Sequence, residues 1–295
     1  MLISKVIEEF LMEQQVRGNS DYTVEYYRMS LNMFCDFLKE YISDFEAITI
    51  HHCKSYYLYL KQKELSSVTV QTYIRSVRAF LSWAYQNEFI TVNIIEKFKL
   101  PKSQRKVIDV LTDREISDLM NCFVMSELVG LRNYCICALM LDSGLRLNEV
   151  VSLMQSAIHI PESYIIVNGK GNKQRVVPLG EVSKRSLNKY LGLIPFTGLE
   201  KPLFLKSDLK PIQASTIKQT FAKLKKRLKI GRLKPHLLRH TFATRYLENG
   251  GNIYNLQFIL GHTSLEMVRR YVHLNTQKTI QSFSLFSPLD VLNKK

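Results

Sequence analysis

Apolar residues recur at three- and four-residue steps through most of the chain, the signature of amphipathic helices. The opening residues lead into an acidic, helix-like stretch. Asn19-Ser20-Asp21 supplies cap candidates before a long periodic segment in which Val24, Tyr27, Leu31, Phe34, Phe37 and Leu38 share one face. Residues 48–60 form a shorter candidate. Ser66-Ser67 precedes a further helix carrying Val70, Tyr73, Ile74, Val77, Phe80, Leu81 and Ala84. The pattern predicts a bundle of about four helices whose apolar faces pack a core.

Beyond residue 110 the pattern changes. Thr112-Asp113-Arg114-Glu115 reads as a cap and helix start, and the apolar helix over 131–141 stops at Asp142-Ser143-Gly144. Tyr164-Ile165-Ile166-Val167 and Val176-Val177 are β-branched runs on either side of Asn168-Gly169-Lys170-Gly171-Asn172, a hairpin signal. Residues 217–230 form a basic helix. Pro235 opens another that ends near Asn249-Gly250-Gly251, and shorter helices are expected over 253–260 and 264–273. The last residues carry Ile280, Phe283, Leu285, Phe286, Leu289 and Val291, too few for a core and too many for a free tail. They are expected to dock into a neighbouring protomer. The expected fold is mainly α with a small β-sheet. A helical domain at 1–98 and a linker at 99–109 precede a mixed α/β domain at 110–295.

Apolar residues make up 46% of the 295, enough to fill two cores. The net charge of +15 is uneven: residues 1–100 hold 11 basic and 12 acidic side chains, the remainder 30 and 14. A neutral third joined to a strongly basic remainder points to a polyanion partner, nucleic acid first. Lys102, Arg105 and Lys106 in the linker and Lys173 and Arg175 at the hairpin are candidate DNA contacts. Five cysteines, odd in number and without a CxxC pair, fit free thiols in a reducing compartment. His51-His52-Cys53 lacks the second ligand cluster a zinc site needs. No apolar run is long enough to cross a membrane and the start lacks signal-peptide character, so a cytoplasmic protein is expected.

Four short stretches concentrate side chains that handle phosphate. They are Gly144-Leu145-Arg146-Leu147-Asn148-Glu149, the hairpin tip with Lys170, His236-Leu237-Leu238-Arg239-His240, and Leu260-Gly261-His262 followed by Tyr271. Each alone has an ordinary structural use, and Tyr271 is one of 15 tyrosines. Together they suit attack on a phosphodiester. Two arginine forks can clamp the non-bridging oxygens without a metal. A lysine or histidine can protonate the leaving 5′ oxygen. A tyrosine hydroxyl, with a pKa of about 10, needs that electrostatic help to attack. His236 and Arg239, at i and i+3 on one helix, share a face. Pro235 sets both in the first turn, where backbone donors favour an anion.

The order and spacing of these stretches resemble the tyrosine recombinases, or phage-integrase-type recombinases, particularly their Xer-like and transposon-encoded branch. Ser143 to Glu149 is similar to the first arginine motif. Gly169-Lys170-Gly171-Asn172-Lys173-Gln174-Arg175 resembles the hairpin lysine motif, with Val177-Pro178-Leu179 following. Pro235 to Thr244 resembles the HxxR motif, and Leu260-Gly261-His262 with Arg270-Tyr271-Val272-His273 the final histidine and nucleophile. Thr23, Tyr27, Leu31, Phe34 and Ser67-Val68-Thr69 resemble the family's core-binding helical domain. The resemblance implies a tyrosine-recombinase catalytic domain with Arg146, Lys170, His236, Arg239, His262 and Tyr271 as its active-site residues. Arg146 and Arg239 would bind the scissile phosphate and Lys170 would protonate the 5′ oxygen. His236 would exchange protons and His262 would hydrogen-bond a non-bridging oxygen. Tyr271 would attack, leaving a 3′-phosphotyrosyl link. It further implies double-stranded DNA as substrate, a homotetramer on two sites, and no metal or cofactor. A second recombinase or an accessory DNA-bending protein is a further candidate partner. Two positions depart from the family's habit: Val268, where Thr is frequent, and Asn93-Ile94, where Asn-Pro is frequent. The resemblance does not extend to the arm-binding domain of larger integrases, so a simpler recombination system is expected. Two other readings of the same residues are relaxation of supercoils like a type IB topoisomerase, and a catalytically silent DNA-binding protein.

Overall fold

The computed structural model describes residues 1–98, 109–169, 173–194 and 200–261, together with 264, 267 and 268. The chain divides into two compact units, Met1–Lys106 and Val107–Lys295.

The first unit is helical. Helix α1 spans Ile3–Val16, α2 Asp21–Leu38, α3 Ile50–Gln62 and α4 Ser67–Gln86; a single turn, α5, covers Ile94–Lys97. The starts follow the cap chemistry expected from the sequence. Ser20 accepts from the Thr23 amide and Ser66 from the Thr69 amide, each satisfying an orphan donor. Helix α2 packs against α1, α3 and α4. Val24, Leu31, Phe34 and Leu38 all enter that core, joined by Phe10, Phe45, Phe80 and Trp83. His52 in the His51-His52-Cys53 triplet accepts the Thr49 amide through Nδ1 at 3.1 Å, and Cys53 is buried. These residues start a helix, and among the described residues no three His, Cys, Asp or Glu side chains stand together.

The second unit is built around α7, Leu128–Asp142. Cys135, Ile136, Cys137, Ala138, Leu139 and Met140 are consecutive and all buried. A helix apolar on every side is a central helix. It packs against α6 (Asp113–Asn121), α8 (Leu147–Val151), α9 (Glu181–Leu191) and α11 (Pro235–Glu248). Helix α6 starts at a reciprocal cap: Thr112 accepts the Glu115 amide, and Glu115 accepts the Thr112 amide. Strands β1 (Ile158–His159), β2 (Tyr164–Asn168) and β3 (Gln174–Pro178) form one antiparallel sheet in that order. Ile165 faces Val177 and Val167 faces Arg175 across the β2–β3 ladder. Helix α10 covers Ala214–Arg227, and α12 covers Ile253–Leu260 and packs on β3. Helix α9 and strand β1 had no clear sequence signal. The helix expected over 264–273 falls mostly outside the described residues, as does the tail.

Among the described residues no helix is long and apolar enough to cross a membrane.

Candidate active site

The turn after α7 begins the site. Gly144 has φ +64°, and a Cβ there would collide with the Phe242 ring of α11. Only glycine tolerates both constraints. The turn frees the Gly144 carbonyl to accept Arg239 Nη1 at 2.5 Å, while Arg239 Nη2 donates to the Leu260 carbonyl at 2.7 Å. Arg239 is thereby anchored to the end of α7 on one side and the end of α12 on the other. It is almost fully buried, so its direction is fixed before any substrate arrives.

Arg146 caps α8 two residues after Gly144. Its Nη1 donates to Glu149 Oε1 at 2.7 Å, its own amide donates to Glu149 Oε2 at 2.7 Å, and Nη2 reaches the Gly261 carbonyl at 3.4 Å. Its side chain is 38% exposed, against 2% for Arg239. Thus Arg146 presents its guanidinium towards solvent while Arg239 is held beneath. The two lie 93 positions apart in sequence yet converge on one carboxylate, for Arg239 Nη1 lies 3.8 Å from Glu149 Oε2.

Glu149, on which these arginines converge, has no role of its own in the pattern of phosphate-handling stretches. It was legible as the last residue of the first arginine stretch, at the position where a capping glutamate reaches back to the helix start. Burial by itself would raise its pKa. The Arg175 fork, the Arg146 amide and the Arg146 guanidinium outweigh that, so the carboxyl sits below its ordinary value and stays ionised.

Arg175, a candidate DNA contact from its place in the hairpin, is buried and paired within the protein. It lies on the inward face of β3 with Val177, since alternation buries both. Its Nη1 and Nη2 take both Glu149 oxygens at 2.9 and 3.0 Å, and its Nε takes the Ile259 carbonyl at 2.7 Å. Lys173, at the start of the hairpin's return, is exposed.

His236 follows Pro235 in the first turn of α11, three residues before Arg239, and is exposed. Its ring meets His240 edge-on at 4.4 Å between centroids. Lys170, His262 and Tyr271, with the linker residues Lys102, Arg105 and Lys106, lie outside the described residues. Gly261, which immediately precedes His262, ends α12 in the left-handed conformation at φ +61°. Val268, where the family often has Thr, is buried in the catalytic core, where an apolar side chain packs.

Residues 109–278 match the phage integrase family, and residues 7–88 match its N-terminal SAM-like domain. The tyrosine recombinase XerD of Oceanobacillus iheyensis is 28% identical over 300 residues, covering 97% of this chain and 99% of that protein. Among solved structures, the XerA recombinase is 28% identical over 97% of this chain and 99% of its own, with a TM-score of 0.52. The Tn1549 transposon integrase in complex with a circular intermediate DNA shares the fold at 21% identity, covering 96% of this chain and 99% of its own, with a TM-score of 0.75. Neither strand relaxation nor silent binding is favoured by such neighbours. With its two arginines converging on Glu149, and with the family matched over both of its units, the chain belongs to the phage integrase family and is a tyrosine recombinase, an enzyme that breaks and rejoins DNA.

Proposed function

We propose that this recombinase acts on double-stranded DNA through a covalent 3′-phosphotyrosyl intermediate at Tyr271. The observation that carries the reading is the convergence of Arg146 and Arg239 beside Glu149 and the end of α12. Two forks aimed from one place suit the two non-bridging oxygens of a single phosphate, whose charge grows in the transition state. Arg239, anchored on two carbonyls, needs no reorganisation as that charge develops. Arg146, partly exposed, meets the phosphate from the solvent side.

Tyr271 attacks phosphorus, and the bond to the 5′ oxygen breaks. Lys170 delivers the proton to that oxygen, giving a free 5′ hydroxyl. His236 exchanges protons at the nucleophile or phosphate, and His262 hydrogen-bonds a non-bridging oxygen. The phosphotyrosyl bond conserves the diester's energy, so a partner strand's 5′ hydroxyl reverses the chemistry on a new strand. Four protomers on two sites would make that exchange reciprocal, with the apolar tail as a docking element between them. A second recombinase or a DNA-bending protein would act on the same assembly. The linker residues Lys102, Arg105 and Lys106, and Lys173 at the hairpin, would contact the phosphate backbone.

The test is a substrate nicked near the crossover, from which the released fragment diffuses and traps the covalent complex. Wild-type protein is expected to give an adduct on a denaturing gel and Tyr271→Phe none. An adduct with Tyr271→Phe refutes the assignment.

A further inference from the structure

Arg175 has no part in the proposed chemistry, yet it touches three of the segments that carry it. Its two terminal nitrogens grip both oxygens of Glu149, side by side. Its Nε holds the Ile259 carbonyl in the last turn of α12. The next carbonyls along that turn serve the other arginines: Leu260 accepts Arg239, and Gly261 faces Arg146. The stem of Arg175 lies across Gly261 itself, where a Cβ would stand 3.1 Å from Cδ and Nε. On its other side Nη1 lies 3.7 Å from the Cβ position of Gly169, the residue before Lys170. Strand β3 thus anchors a planar fork behind the site.

We propose that Arg175 is a positioning residue that holds Glu149 and the end of α12 in the one arrangement that aims Arg146 and Arg239 at the scissile phosphate. This rests on the assignment of those two arginines to the phosphate. The reasoning is electrostatic as well as geometric. Removing a partner from a buried carboxylate is costly, so Arg146 could not leave Glu149 for a substrate if it were the sole counter-charge. Arg175 keeps both oxygens of Glu149 paired, and the Arg146 amide adds a further donor. Arg146 can therefore swing to a phosphate without stranding a buried charge. Lysine cannot replace it, because the three donors of one ammonium nitrogen cannot span acceptors that Arg175 reaches from three separate nitrogens.

The experiment measures three quantities on full-length Arg175→Lys: the single-turnover rate of adduct formation at saturating protein, DNA affinity across salt concentrations, and the melting transition. The adduct rate is expected to fall about 100-fold, the loss typical of a small misplacement of reacting groups. Affinity and its salt slope should not change, because Arg175 neutralises no phosphate. A substrate with sulfur at the 5′-bridging position, whose thiolate leaves without protonation, should restore Lys170→Ala but not Arg175→Lys. If Arg175→Lys does not fold, Arg175→Met combined with Glu149→Gln removes both charges and should give a folded, binding-competent, slow protein.

A wild-type adduct rate in either variant overturns the proposal. So does a weakened affinity with the salt slope reduced by about one, which would mean direct contact with a phosphate. Rescue of Arg175→Lys by the sulfur substrate overturns it too, since the defect would then lie with the proton donor. Arg146→Ala and Tyr271→Phe run alongside separate the two levels. If those are inactive while Arg175→Lys is normal, only this proposal fails; if Tyr271→Phe cleaves, the reading of the site fails.

Discussion

Replacing Glu149 by Gln changes one atom and removes the negative charge on which the buried arginines converge. In the native protein Glu149 accepts two bonds from Arg175 and two from Arg146, with Arg239 at 3.8 Å. Glutamine keeps one acceptor oxygen, which can still serve the Arg146 amide. Its NH2 group must face guanidinium donors, and the buried Arg175 charge is left uncompensated. Breaking a buried pair by removing one partner costs about 3–5 kcal/mol, and the retained oxygen places this substitution near the lower end. For a unit of this size, about 3 kcal/mol lowers the melting transition by roughly 6–12 °C.

The chain supplies its own control. Its one tryptophan, Trp83, is buried in the N-terminal unit. Trp83 fluorescence should therefore melt unchanged while far-UV circular dichroism reports early loss of the catalytic unit. The pH dependence carries a second signature. The folded carboxyl of Glu149 has a lowered pKa, so its stabilisation is fully present above the unfolded value of about 4.3 and fades as pH falls through the folded value. The Gln variant should lack that component of acid destabilisation. An unchanged catalytic-unit transition, or the same acid sensitivity as wild type, would refute the reasoning.

Three further outcomes are expected. Phe10 meets Tyr27, Phe80 and Trp83 edge-on with centroids 5.2–5.6 Å apart, so Phe10→Ala should destabilise the N-terminal unit by about 3–5 kcal/mol. The Trp83 transition should drop while that of the catalytic unit stays in place. Burial raises the thiols of Cys53 and Cys135 to about 12 and that of Cys137 further, whereas Cys122 is only half-buried. A disulfide reagent at pH 8 should then label Cys122 first and all five cysteines only in denaturant; rapid labelling of several would refute this. Deleting residues from Ser287 onward should impair assembly of paired sites in a native gel more than DNA binding, and normal pairing would show the tail does not dock.

Much of the chain was legible from local chemistry. Ser20, Ser66 and Thr112 cap helices because a side-chain oxygen satisfies a backbone donor within three residues, and such signals need no tertiary context. The inward stripe of Val24, Leu31, Phe34 and Leu38 follows from helical period alone. The hairpin strands follow from their β-branched runs, and the turn at Gly144 from the glycine closing an apolar helix. Helix α9 escaped because its buried face is short and partly made of serines, Ser183 and Ser186 beside Leu187 and Tyr190.

For the site, sequence by itself determined which residue types stand in which order: a fork at Arg146, another at Arg239, and the stretches that carry Lys170, His262 and Tyr271. What only the tertiary structure decided was which charges face outward and which support them. Arg175 and Lys173 are two residues apart in one basic hairpin and looked equivalent. Strand β3 turns Arg175 inward onto Glu149, whereas Lys173 precedes the strand and stays in solvent. The convergence of Arg146, Arg175 and Arg239 on one carboxylate joins helix α8, strand β3 and helix α11, with carbonyls from the ends of α7 and α12 holding the arginines. Pairing across such separations depends on how helices and strands pack, which no local pattern encodes.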